Sequence, residues 1–131
     1  MTTKIYNNQK GGYVTVSANA SGFVALNQVG ASTGGLLGNG ANTVGEVVQE
    51  MNISEIIWSN LGAANMWEIK RGGNTVFKCY GQNGQINVQR DNLHLECNSF
   101  ERASNVVFTL SGAAAKGSIV LKLHKRSDVG N

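Results

Sequence analysis

Proline is absent from the 131 residues, so the chain makes all of its turns with other residues. Seventeen glycines, roughly twice the usual share, and sixteen asparagines are available for that purpose. Glycine and asparagine tolerate the backbone conformations that tight turns require. The composition therefore favours many short strands over helices and predicts an all-β protein.

Long apolar runs are also missing. No stretch approaches the roughly 18 apolar residues that a membrane span requires. The first residues, Met1–Lys4, lead into a polar segment rather than into the apolar run of a signal peptide. We therefore expect a protein that is made in a cytoplasm and has no membrane partner.

The residues that carry most catalytic and metal chemistry are few. The two histidines, His94 and His124, alternate with apolar neighbours and are expected to face solvent. Cys79 and Cys97 lie eighteen positions apart, without metal-like spacing; a buried free thiol is favoured for Cys79, with a Cys79–Cys97 disulfide as the alternative. We expect no catalytic residue, no metal and no cofactor, and hence a protein that is not an enzyme.

Charge is sparse and unevenly distributed. Residues 1–65 carry two basic and three acidic residues, whereas residues 66–131 carry nine basic and five acidic residues. This asymmetry would suit an acidic partner such as nucleic acid. However, no basic run exceeds two residues, so a solvated strand face is the favoured interpretation, and nucleic acid is not expected as a partner.

The clearest secondary-structure signal is a hairpin in the middle of the chain. Met66–Arg71 alternates apolar and polar residues, Gly72-Gly73-Asn74 supplies a tight reversal, and Thr75–Tyr80 resumes a β-prone run. Val106–Leu110 and Ile119–Leu123 show the same alternation on either side of a turn. The alternation predicts that the aromatic residues Trp58, Trp67, Phe77 and Phe108 are buried.

Other segments complete the pattern. Four more segments are predicted to be strands: Tyr13–Ser17, Val44–Asn60, Gln85–Gln89 and Leu93–Cys97. A helix over Val44–Met51 is an alternative, because the apolar residues of that segment also have helical spacing. About seven or eight strands joined by tight turns predict a single-domain antiparallel β-sandwich, jelly-roll-like, or a small barrel.

The first third of the chain is predicted to differ from the rest. Residues 1–12 are expected to be a loose terminus, and Ala31–Asn42 a glycine-rich loop. Residues 1–45 would then be a strand and an arm of the same domain, with residues 46–131 as the sandwich body. We expect the arm to become ordered against a neighbouring subunit. The predicted contact residues are Tyr13, Val14, Val16, Phe23, Leu26, Leu36 and Leu37.

The segment from Ile53 to Arg126 resembles a family of small structural proteins of tailed bacteriophages, especially marine ones. The resemblance rests on three parts of the sequence: Ile56-Ile57-Trp58 followed by Met66–Gly72 and Thr75–Gly81, then Val106–Gly112, then Gly117–Leu123. The resemblance implies a virion component, a decoration (cement) protein that binds the major capsid protein outside the shell and self-associates as a homo-oligomer.

Two other functions are compatible with the sequence. One is a carbohydrate- or receptor-binding module of a tail or fibre, which would need exposed aromatic residues in a cleft. The other is a coat protein that forms the shell itself. Sandwich folds serve all three functions, so the fold alone does not choose among them.

Overall fold

The computed structural model describes residues 3–6, 12–29, 35–37, 47–96, 98–112 and 115–128. These residues contain ten β-strands and one short helix. The strands are β1 (Thr3–Tyr6), β2 (Gly12–Ala18), β3 (Gly22–Val29), β4 (Gly35–Leu37), β5 (Val47–Ser59), β6 (Met66–Arg71), β7 (Asn74–Cys79), β8 (Gly84–Asn87), β9 (Val106–Ser111) and β10 (Ser118–Asp128). The helix α1 (Ser99–Arg102) lies between β8 and β9.

The strands form two sheets that pack into a sandwich. The first sheet has the order β1-β2-β10-β5-β8 and the second has the order β4-β3-β9-β6-β7. Apart from the parallel pair β3–β4, the strand pairs are antiparallel. The four-strand orders 2-10-5-8 and 3-9-6-7, in which the chain repeatedly crosses between sheets, are the connectivity of a jelly roll. The predicted sandwich is therefore confirmed, and the barrel alternative is wrong.

The core lies between the inner faces of the two sheets. Alternate residues of β2, β5 and β10 are buried on one side, and alternate residues of β6 and β9 are buried on the other. Trp67 and Phe108 meet edge to face, with ring centroids 6.2 Å apart, and both are fully buried. Trp58 is buried and Phe77 is partly buried, so the predicted inward orientation of these aromatic residues is confirmed.

A bulge interrupts the alternation in β5. The pairing of β5 with β10 shifts register between Lys122 and Leu123, which leaves Ser54 without a direct cross-strand partner on β10. Because of this extra residue, Ile53 and Ile56 both face the core although they are three positions apart. The bulge explains why the apolar residues of this segment do not follow a simple period of two.

The structure resolves the two alternatives for the segment that begins at Val44. Residues from Val47 onward form β5, so the strand is confirmed and the helix is wrong for the part that the structure describes. The segment is a strand because it pairs with a distant one: eleven residues of β10 are in antiparallel register with β5. Local spacing alone carries no information about that partner.

Three other predictions need correction. Thr3–Tyr6 was expected in a loose terminus but pairs with β2 as an edge strand, and Gly35–Leu37 was expected in a loop but pairs in parallel with β3. The other residues of Ala31–Asn42 lie outside the described part of the chain. Leu93 to Glu96 was predicted to be a strand but does not form one, because its backbone pairs with no strand that the structure describes. Leu95 is nevertheless buried and His94 exposed, as the alternation indicates.

Cys79, at the end of β7, is buried and has a free thiol, as predicted; Cys97 lies outside the described residues. Burial raises the pKa of the Cys79 thiol to about 12 from a usual 9.0. Since the thiolate is the reactive form, the native thiol should react very slowly with alkylating reagents at neutral pH.

We expect a Cys97→Ser variant, which keeps Cys79 as its single cysteine, to resist iodoacetamide when native and to react fully in denaturant, as measured by mass spectrometry. Because the unfolded thiol ionises near pH 9 and the native thiol does not, this cysteine should also make unfolding easier as the pH rises above 9. Rapid alkylation under native conditions would contradict the buried position of Cys79.

Candidate interaction surfaces

The seven residues predicted to make subunit or capsid contacts fall into three groups. Tyr13 and Phe23 are exposed, at 54% and 48% of their surface. Val14 and Val16 are buried in the core, because they alternate with Tyr13 and point inward from β2; their prediction as contact residues is therefore wrong. The side chains of Leu26, Leu36 and Leu37 are not among those that the structure describes.

The outer face of the first sheet presents Tyr13 within a group of cationic and aromatic side chains. Tyr13 and His124 are directly opposite each other on β2 and β10, and their ring centroids are 4.7 Å apart. The ammonium group of Lys122 lies 5.2 Å from the centre of the same Tyr13 ring. We call these three residues the tyrosine face. A cation beside an aromatic ring is weakly attracted to it at an exposed site, so Lys122 favours a position against the Tyr13 ring.

The outer face of the second sheet presents Phe23. Phe23 on β3 is opposite Val107 on β9, and Val107 is opposite Lys70 on β6, so the three side chains form one row across the sheet. Phe23 and Val107 are both exposed apolar residues. We call these three residues the phenylalanine face. Glu68 lies one row away, and the hydrogen bond from Thr75 and the charges of nearby lysines lower the pKa of its carboxyl group.

The two faces are on opposite sides of the molecule. Tyr13 points away from the core on the first sheet because Val14 points into it, and Phe23 does the same on the second sheet because Val24 is buried. A sandwich has two outer faces, and here each of them carries an exposed aromatic residue. The two exposed rings therefore point in opposite directions.

A buried ion pair joins the two sheets at one end of the sandwich. Arg71, the last residue of β6, bonds through Nη1 to Oε2 of Glu96 at 2.6 Å, and their side chains are 0% and 4% exposed. The same Glu96 oxygen accepts a hydrogen bond from the backbone N–H of Ile53 on β5 at 3.0 Å. Arg71 also donates to the backbone carbonyl groups of Arg102 and Ser104. This arrangement fixes α1 and both sheets to one another.

Burial disfavours the charged form of both partners in this pair. Loss of solvent lowers the pKa of Arg71 and raises the pKa of Glu96, and their mutual attraction offsets only part of either shift. In a cleft, such a carboxyl group can act as a general acid. Here a guanidinium group and a backbone N–H occupy one of its oxygens, which favours a structural role for Glu96.

Helix α1 is held at the same end by a second set of polar contacts. The side chain of Asn98 accepts a hydrogen bond from the backbone N–H of Glu101 and so caps the helix. The buried Glu101 carboxylate accepts a hydrogen bond from the side chain of Asn74, the first residue of β7, at 2.8 Å. Arg102 pairs with Glu50 on β5 at 3.4 Å. A four-residue helix has little stability of its own, so these contacts determine its position.

The described residues also line two clefts. One has a volume of about 450 Å³ and lies between residues 52–54 of β5 and the segment 88–96 that follows β8. The other has a volume of about 500 Å³ at the opposite end of the sandwich, where residues 60–63, Gly81, Gln82 and Lys116 meet. The second cleft is lined by three small residues, Gly62, Ala63 and Gly81, together with Asn60, Leu61, Gln82 and Lys116.

Within the described part of the chain, no three His, Cys, Asp or Glu side chains are grouped closely enough to hold a metal ion. Both histidines are exposed, as predicted. No helix in the same part of the chain combines the length and the apolar character that a membrane crossing requires.

No protein-family model, curated protein or solved structure matches this chain.

The sequence indicated some of these features and not others. Arg71 shares the strand parity of the buried Trp67 and Ile69, which was a readable sign of a buried charge. Its partner Glu96 follows 25 positions later, outside any regular element, and nothing local identifies it. The clefts join segments that are remote in sequence, so neither could be predicted.

Proposed function

We propose that this chain is a non-enzymatic structural protein of a virus particle, a cement protein that binds the outside of a tailed-phage head. Its partners are the major capsid protein and other copies of itself. The observation that carries this proposal is the presence of an exposed aromatic residue on each of the two opposite outer faces. A cement protein needs two such surfaces, one for the shell and one for its neighbours.

The phenylalanine face is the better candidate for the contact with the shell. Phe23 and Val107 form an apolar pair on a flat sheet, next to Lys70, which can interact with an acidic surface. Aromatic residues at the centre of an interface contribute disproportionately to affinity. Because a capsid repeats its binding sites many times, and an oligomer engages several of them together, each contact can be weak.

The jelly roll itself suits this task. The two sheets share one core and are joined at one end by the buried pair of Arg71 and Glu96, so the outer faces keep a fixed orientation relative to each other. A rigid body loses little conformational entropy when it binds. The same rigidity would serve a coat protein, and the experiment below separates the two functions.

Binding to capsids from which the accessory proteins have been stripped tests the proposal. We expect Phe23→Glu to reduce occupancy, with an apparent affinity that is roughly tenfold weaker or worse, because it places a carboxylate at the centre of the contact. The matched control is Tyr80→Glu, which alters an equally prominent aromatic residue, 62% exposed, at the end of the sandwich.

Co-sedimentation with the stripped capsids measures both variants, after circular dichroism has shown that each is folded. Equal occupancy for Phe23→Glu and the unmodified protein would exclude the phenylalanine face as the shell contact. If the purified protein assembles into closed shells without any capsid, the coat function replaces the cement function.

A further inference from the structure

The cleft beside β5 has the construction of a small-molecule site. It lies along the edge of the first sheet, between residues 52–54 and the segment 88–96, and its volume of about 450 Å³ is within the range of ligand pockets. It is separate from both the tyrosine face and the phenylalanine face, since none of their residues lines it.

The cleft exists because the chain turns away from β5 after β8. The backbone N–H of Val88 still bonds to the carbonyl of Ser54 at 2.9 Å, continuing the ladder one residue beyond Asn87. The chain then forms a tight turn, in which Asp91 accepts a bond from the backbone of Asn87 and Leu93 donates to the carbonyl of Val88. The turn moves the following residues off the strand edge and opens the space.

The wall of the cleft combines apolar surface with a fixed carboxylate. Ile53 and Leu95 are buried, and Val88 and Leu93 are partly buried and pack against the core. The Glu96 side chain lines the cleft while Arg71 and the backbone of Ile53 hold one of its oxygens. A ligand group would therefore meet a carboxylate that does not have to be reoriented.

The rim carries three amide side chains, Asn52, Gln89 and Asn92, all of them exposed. A primary amide donates two hydrogen bonds and accepts two, so it can pair with a group that does both. Asn92 adopts a left-handed backbone conformation with φ of 55°, which fixes it within the turn. Three such amides around an apolar wall favour a ligand with many hydroxyl groups.

We propose that this cleft binds an uncharged sugar. The described residues that line the cleft include no Trp, Tyr or Phe, so the C–H face of the sugar ring would pack against Val88 and Leu93 in place of an aromatic side chain. Sugar hydroxyl groups can donate to the Glu96 carboxylate and can both donate to and accept from the three amides. The two charged side chains that line the cleft, Glu96 and Arg102, are each paired with an opposite charge, on Arg71 and Glu50 respectively, so neither strongly favours a free anion or a free cation. The inference does not depend on the proposed cement function, because it concerns the isolated protein.

An NMR titration of the full-length, ¹⁵N-labelled protein tests the proposal. The probes are the methyl glycosides of glucose, galactose, mannose and N-acetylglucosamine, added one at a time to millimolar concentrations. We expect at least one to shift the side-chain amide signals of Asn52, Gln89 and Asn92 in a saturable manner. The double variant Asn52→Ala/Gln89→Ala should bind that sugar roughly tenfold more weakly, because it loses two hydrogen-bonding groups.

The matched control is Gln82→Ala, which removes an exposed amide from the cleft at the opposite end of the sandwich and should leave the affinity unchanged. The proposal is overturned if none of the four sugars produces saturable shifts. It is also overturned if the shifts group around residues 60–63 and Gln82, or if the double variant, with an otherwise unchanged spectrum, binds as tightly as the unmodified protein.

Discussion

Replacing Arg71 with alanine is expected to lower the free energy of unfolding by about 3–5 kcal/mol, the usual cost of removing one partner from a buried ion pair. The substitution leaves the Glu96 carboxylate buried without its cation and removes the donors to the carbonyl groups of Arg102 and Ser104. Urea unfolding, followed by the fluorescence of the two buried tryptophans, measures the change.

The matched control is Arg90→Ala, which removes the cation of a surface pair. Arg90 lies 3.1 Å from Asp91, with side chains 61% and 35% exposed, and such solvent-exposed pairs contribute little to stability because water screens the two charges. A loss for Arg71→Ala as small as that for Arg90→Ala would contradict the view that the buried pair holds the sheets together.

Gly112→Ala should lower the free energy of unfolding by about 3 kcal/mol or more. Gly112 follows β9 with a φ of 116°, a conformation that residues with a Cβ rarely adopt. A Cβ at this position would also collide with the backbone oxygen of Ala64 and the side-chain amide of Asn65, in the connection between β5 and β6. Backbone strain and overpacking therefore add to one another.

Gly73→Ala separates these two causes. Gly73, in the β6–β7 turn, also has a positive φ, 81°, but a Cβ there would meet no atom within 4 Å. We expect it to cost only about 1 kcal/mol, from the backbone conformation alone. Urea unfolding measures both variants in the same way. If Gly73→Ala and Gly112→Ala lowered the free energy of unfolding equally, the β9–β10 connection at Gly112 would not be packed against the β5–β6 connection.

The sequence was most informative where strands are neighbours along the chain. The hairpin of β6 and β7 could be predicted because Trp67 and Ile69 alternate with polar residues and because glycines follow at the reversal. Gly72 and Gly73 both adopt a positive φ there, as the prediction requires. The alternation in β9 and β10 was equally clear. Local patterns of this kind were sufficient for the all-β class, but the choice of a sandwich over a small barrel follows from the strand order of the two sheets.

Features that depend on distant parts of the chain could not be predicted. Thr3–Tyr6 is polar enough to look like a free terminus, and it forms a strand because β2 offers it an unpaired edge. The alternation from Leu93 to Glu96 correctly indicated that Leu95 is buried and His94 is exposed, but it did not indicate that the Glu96 side chain is buried, because its ion pair with Arg71 depends on a distant strand. The bulge at Ser54 follows from the register of β5 against β10, which no local pattern contains.

The prediction of contact residues was also correct in one part and wrong in another. Tyr13 and Phe23 were predicted as contact residues and are exposed, but Val14 and Val16, predicted together with them, form part of the core. Hydrophobicity alone does not distinguish an interface residue from a core residue. Strand parity would have separated them, since Tyr13 and Val14 are adjacent and must point in opposite directions.

The most direct test of the proposed function is sedimentation of the unmodified protein with stripped phage capsids over a range of mixing ratios. A cement protein should bind until it reaches a fixed ratio to the shell subunit and should then remain in the supernatant. That plateau would give its copy number on the particle. If the protein remains in the supernatant at every ratio, it does not bind the head, and the proposal is wrong.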